Sequence, residues 1–224
     1  MQAIVTDTNR VYLAPGEFAD SDHPAIQTRA AELTAGLETD RDKARAIYDF
    51  VRDIPYQMGS RFEDLENYRA STTLRIGRGY CVAKACLFVA LCRAVGLAAR
   101  PSFADVTNHL TTSKLTASMG TDLFCWHGYA EVLVQGYWLK VSPTFNASLC
   151  HKLSVGPLEF DGEHDAVLQA FDTAGRAFMS YDRLHGHFHD VPARFLAEEM
   201  PRLYPQAAAD IAAGKFSRPM ETDV

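Results

Sequence analysis

Apolar residues at Ala44, Ile47, Tyr48 and Val51 recur at the i, i+3, i+4, i+7 spacing of one helical face. Thr39-Asp40 supplies an N-cap and negative charge at the positive end of that helix, and Pro55 closes it just beyond Asp53. A second helix is expected from Cys81 to about Val95, with Gly96 as its C-cap. Only Lys84 and Arg93 interrupt its apolar residues, so it has no solvent face and belongs in the middle of the molecule. Between these helices the polar stretch from Gln57 to Arg78 reads as loop, with one short helical turn at most.

Past Gly96 the period changes. The run from Ala98 to Phe103 reads as the start of a strand, and residues 106–122 read as polar loop. Phe124 to Val134 and Tyr137 to Val141 are expected to be strands, joined at Gln135-Gly136 into an antiparallel hairpin. The last third mixes turns, at Asp161-Gly162 and from Asp172 to Gly175, with a helix near residues 193–200. This order predicts an α+β fold in which a central buried helix packs on an antiparallel sheet. No repeat, low-complexity tract or Pro/Gly/Ser-rich linker divides the chain, so residues 1–224 are expected to form a single domain.

Composition narrows the function. With 47% hydrophobic and 22% charged residues, the 224-residue chain can bury a core without metals or disulfides. A net charge of −6 and no clustered basic surface argue against nucleic acid as a partner. Neither a signal-peptide pattern at the N-terminus nor a run of about 18 apolar residues occurs, so no membrane partner is expected. Five irregularly spaced cysteines without a CxxC pair suit neither a zinc site nor a disulfide framework, and imply a cytoplasmic setting. No cofactor or metal is called for.

One of those cysteines stands apart. Gly77-Arg78-Gly79-Tyr80-Cys81 puts a thiol where a glycine-containing loop enters a helix, beside unpaired N–H groups that favour a thiolate and can receive an oxyanion. Such a nucleophile needs a base. His127 is placed for that on the expected strand Phe124-Cys125-Trp126-His127-Gly128-Tyr129, with Gly128 leaving space beside the ring. Cys86, Cys92, Cys125 and Cys150 read as structural.

These blocks resemble the transglutaminase-like superfamily, which shares the papain-like fold. The matching runs are Gly79 to Ala85, Leu91 to Arg100, Trp126 to Val132 and Gly136 to Thr144, within a core of about residues 40–146 followed by a C-terminal elaboration. The resemblance implies Cys81 as nucleophile and His127 as general base and acid. It implies a thioester intermediate formed from a peptide, protein or small amide substrate, resolved by water or by a second amine. Hydrolysis, by a peptidase or amidase, is favoured over transamidation. The family's triad closes with an acidic residue in Val-Asp-Pro-Thr, but this chain has Ser142 there. Asn146 is the preferred substitute, as the amide of a papain-like site; Ser142 itself and Asp161 are the others.

The missing carboxylate supports a rival class, a weakened binding or scaffold module on the same fold. His185, His187 and His189 alternate, as ligands on one strand face would, and Asp190 follows, but no second ligand cluster accompanies them. The acidic run from Asp161 to Asp165 reads as a solvated turn. Tyr80 and Trp126 flank the proposed pair, and Tyr56-Gln57 could reach it as an oxyanion donor.

Overall fold

The computed structural model describes residues 7–58, 61–110, 113–215 and 220. A short helix α1 (Asp7–Arg10) precedes α2 (Pro24–Leu33), α3 (Asp40–Asp53), α4 (Ala70–Ile76) and α5 (Cys81–Ala94). Strand β1 (Ala99–Asn108), helix α6 (Ser113–Met119), the hairpin β2 (Leu123–Val134) and β3 (Tyr137–Val141), and helix α7 (Ala147–Lys152) follow. Strand β4 (Met179–His187) and helices α8 (Ala193–Leu203) and α9 (Pro205–Ala212) complete the chain.

Helix α3 forms for the local reasons its sequence advertises. The Thr39 side chain accepts the Asp42 N–H, Asp40 and Asp42 sit in the first turn, and Ile54 turns extended ahead of Pro55. Ala44, Ile47, Tyr48 and Val51 are all fully buried. Helix α5 is enclosed on every side, packing on β2 and against α2, α3 and α4. This is the α+β arrangement of a central helix on an antiparallel sheet.

Both charges of α5 are buried, and each is satisfied by carbonyls. Lys84 Nζ donates to the carbonyls of Arg52 (2.9 Å), Ile54 (2.7 Å) and Thr144 (2.6 Å). Arg93 donates to those of Ala99 (2.9 Å), Ala14 (2.8 Å) and His189 (2.6 Å). A buried charge left without partners would cost several kcal/mol, roughly, so these residues act as clips between distant segments.

Among the described residues the sheet runs β3-β2-β1-β4, every neighbouring pair antiparallel. The hairpin turns at Gln135 (φ 52°) and Gly136 (φ 91°), both left-handed as a two-residue turn of this twist requires. Between β1 and β2 the register breaks from Ala104 to Val106, so that Cys125 and Trp126 of β2 form a bulge opposite Asp105.

Four stretches depart from the pattern-based expectation. The segment read as loop contains α4, whose buried positions are Ala70, Ser71, Thr72 and Thr73 rather than large apolar residues. Ser71 is held by Asp20, through both its N–H and its hydroxyl, so small polar residues line a packed face. Strand β1 runs on to Asn108, and α6 occupies part of the stretch read as polar loop. Strand β4 was hidden because it is an edge strand with few buried side chains.

Candidate active site

Gly79 sits where only a very small residue fits, since a Cβ there would lie 3.2 Å from the Ala83 and Thr73 side chains. Tyr80 is the N-cap of α5 with extended backbone and no side-chain cap, so the first N–H groups of the helix are left for another acceptor. The backbone N–H groups of Gly128 and Val82 and the Tyr56 hydroxyl lie towards the Cys81 sulfur and favour its charged form. Burial nevertheless outweighs these donors and pushes the Cys81 thiol above its ordinary value. Burial thus opposes the thiolate that the helix start favours.

Tyr56 is carried to the sulfur by a short parallel pairing with Gly79, in which Gly79 N–H donates to the Pro55 carbonyl at 3.1 Å. Its own N–H donates to Asn146 Oδ1 at 3.0 Å. Asn146, the N-cap of α7, also donates from Nδ2 to Ser148 Oγ at 2.7 Å.

His127 is 6% exposed, and its Nε2 lies 3.1 Å from Ser142 Oγ. Ser142 Oγ is 3.1 Å from Thr144 Oγ1 and also hydrogen-bonds the Tyr181 hydroxyl. The ring's partner is thus Ser142, and Asn146 is placed differently from the sequence expectation: its amide oxygen faces the Tyr56 backbone. Asp161 instead bonds the exposed His164 at 2.7 Å. Burial without a compensating carboxylate pulls His127 down to about 4, so the imidazole is neutral.

Gly128 explains how β2 meets the helix start. A Cβ on it would come 2.6 Å from Val82 Cα, so only glycine lets the strand approach α5 this closely. Trp126, on the other side of His127, has a left-handed backbone (φ 58°), costly for a bulky residue. Its N–H donates to Asp105, opposite it on β1, at 3.0 Å, and its indole stacks on His185 at 4.0 Å and 8°. His185 Nε2 in turn lies 2.7 Å from the same Asp105 oxygen.

The remaining histidines are joinery. His187 packs edge-on to Tyr12, the His189 carbonyl receives Arg93, and Asp190 accepts the Phe18, Ala19 and Val191 N–H groups. Among the described residues, the one group of three close enough to hold an ion is Asp161, Glu163 and His164. All three are exposed and engaged with one another or with Arg41. Thr144, Tyr181 and Asp105 escaped the sequence reading. Nothing in a pattern of hydrophobicity marks a hydroxyl or carboxylate whose role depends on which strands become neighbours.

A family model described as the transglutaminase-like superfamily matches residues 27–143, and the chain belongs to that superfamily. A candidate cysteine protease from Cytophaga hutchinsonii has a similar fold, with a TM-score of 0.50 at 20% identity over 82% of this chain and 56% of that one. The chain therefore spans little more than half of that neighbour. A candidate protease from Parabacteroides distasonis aligns at 17% identity and a TM-score of 0.37, over 60% of this chain and 25% of that one. No curated protein matches the sequence. No helix among the described residues is long and apolar enough to cross a membrane.

Proposed function

We propose that this chain is a cysteine amidase or peptidase, with Cys81 as nucleophile, His127 as base and acid, and Ser142 orienting the ring. The observation that carries this reading is that Cys81, at the start of α5, lines one cavity with buried His127 and with Tyr56. Nε2 of His127 is occupied by Ser142, which leaves Nδ1 to serve the thiol.

The thiol proton passes to His127 as sulfur attacks the amide carbonyl carbon, forming the C–S bond. The carbonyl oxygen becomes an oxyanion, received by the helix-start N–H groups and the Tyr56 hydroxyl. Collapse breaks the C–N bond, and His127 returns the proton to the departing amine. Water, deprotonated by His127, then attacks the thioester; its hydroxyl stays on the acid and its proton returns to the sulfur. An amine in place of water would give transamidation. Hydrolysis is preferred because the resemblance to superfamily members of this size favours it.

One observation favours the second class, a binding module: Ser142 offers His127 no charge. Acylation by p-nitrophenyl acetate, read by mass spectrometry, separates the two. We expect an acetyl adduct on Cys81, absent in Cys81→Ala and formed about 100-fold more slowly in His127→Ala. A Cys81 that acquires no adduct would leave the binding module standing and the enzyme reading without support.

A further inference from the structure

Cys81 opens into a cavity of about 90 Å³. Tyr56, His127 and Thr144 gather around Cys81, while Asn108 and Tyr204 are further polar residues of the lining. The remaining walls are largely apolar. None of the described residues lining it is Asp, Glu, Lys or Arg, in a chain where 22% of residues are charged. Five of the six methionines in the sequence, Met58, Met119, Met179, Met200 and Met220, line this one space. Methionine side chains are long, unbranched and polarizable, and they adapt to flexible apolar ligands.

The origin of those walls is informative. Leu153, Leu168, Phe178, Met179, Met200 and Ile211 all lie beyond residue 143, where the family match ends. The superfamily core thus supplies the reactive end and part of the apolar wall, through Met58, Met119 and Phe124, and the C-terminal third supplies the rest. A charged peptide residue would lose its hydration there and find no countercharge among the described lining residues. A hydrocarbon chain gains with every methylene it buries.

We propose that the acyl group accepted by Cys81 is a long, uncharged apolar chain, so that the substrate class is N-acyl amides with the amine leaving towards solvent. The proposal rests on Cys81 being the nucleophile. The carbonyl carbon sits at the sulfur, and the chain extends along Leu168, Phe178, Met179 and Met200. The C–S bond forms and the C–N bond breaks, the amine leaving with the proton held by His127.

The test is the rate of Cys81 acylation by p-nitrophenyl esters from acetyl to decanoyl, below their micelle thresholds, read by mass spectrometry. A γ-glutamyl p-nitroanilide serves as the polar donor, and an N-octanoyl anilide as the amide form. Each buried methylene should raise the rate by up to about fourfold, giving a hundredfold or more between acetyl and octanoyl before the gain levels off. The N-octanoyl anilide should turn over faster than the γ-glutamyl one. Leu168→Arg should collapse the octanoyl-to-acetyl ratio towards one, and Met200→Trp should move the optimum to shorter chains. An acetyl adduct with no chain-length gain, or a preference for the γ-glutamyl donor, overturns the apolar chamber while leaving Cys81 as nucleophile. No adduct from any donor overturns the nucleophile itself.

Discussion

At the scale of single residues, the decisive atom is the Ser142 hydroxyl. It holds the His127 ring at 3.1 Å while sharing itself with Thr144 and Tyr181, and it gives orientation without charge. A neutral imidazole pulled down to about 4 beside a raised thiol makes a pair that must move its proton during attack rather than beforehand. Ser142→Asp would put a carboxylate against Nε2 and favour imidazolium, and with it the thiolate. We expect iodoacetamide to label Cys81 about tenfold faster at pH 6.5 in Ser142→Asp than in the parent, both carrying Cys125→Ala. An unchanged rate with a native circular dichroism spectrum would show that the ring's partner does not limit reactivity. That Cys81 and His127 meet at one cavity could be expected from the sequence because each stands in a block whose neighbours constrain its geometry. Asn146 lies only four residues past Ser142, yet a turn into α7 aims its oxygen at the Tyr56 backbone instead. Nearness along a chain does not fix direction.

At the scale of elements, α5 owes its position to Lys84 as much as to its apolar surface. Burial pulls the amine down to about 7, yet three carbonyl acceptors need three N–H donors, and only the ammonium form supplies them. One acceptor is Thr144, whose hydroxyl touches Ser142, so this clip ties the helix end of α3 to the loop that orients His127. Lys84→Met should lower the unfolding free energy by roughly 3–5 kcal/mol, measured by urea titration, because three carbonyls lose their donor in a dry interior. A loss under about 1 kcal/mol would mean that water reaches those carbonyls. Helices α3 and α5 and the β2–β3 hairpin were readable because their hydrophobic period, caps and turn all agree. The face of α4 is built from Ser and Thr bonded to Asp20, Glu66 and Arg69, and such a face has no apolar period to detect. Edge strand β4 is recognisable only once β1 is there to pair with it.

At the scale of the whole molecule, the buried histidine makes stability depend on pH. In the unfolded chain it titrates near 6.5, and in the folded protein near 4. As pH falls from 6.5 through 4 the unfolded state takes a proton that the folded state refuses, so stability is lost over that window. The loss attributable to this ring should approach about 3 kcal/mol by pH 4, by denaturant titration, and should vanish in His127→Gln. An equal acid-side loss in the variant would assign the effect to other groups. The molecule is also closed end to end. Asp190 accepts the Phe18 and Ala19 N–H groups, and Arg93 joins the carbonyls of Ala14, Ala99 and His189. A ribosome releases this chain from its N-terminus, so residues 14–19 and α5 emerge long before residues 189–190 exist to receive them. Those long-range closures slow folding, and the chamber walls beyond residue 143 are the last to arrive. The nascent protein therefore carries its cysteine without a complete enclosure until residues 153–211 have been made, which delays maturation of the site relative to the helix that bears it.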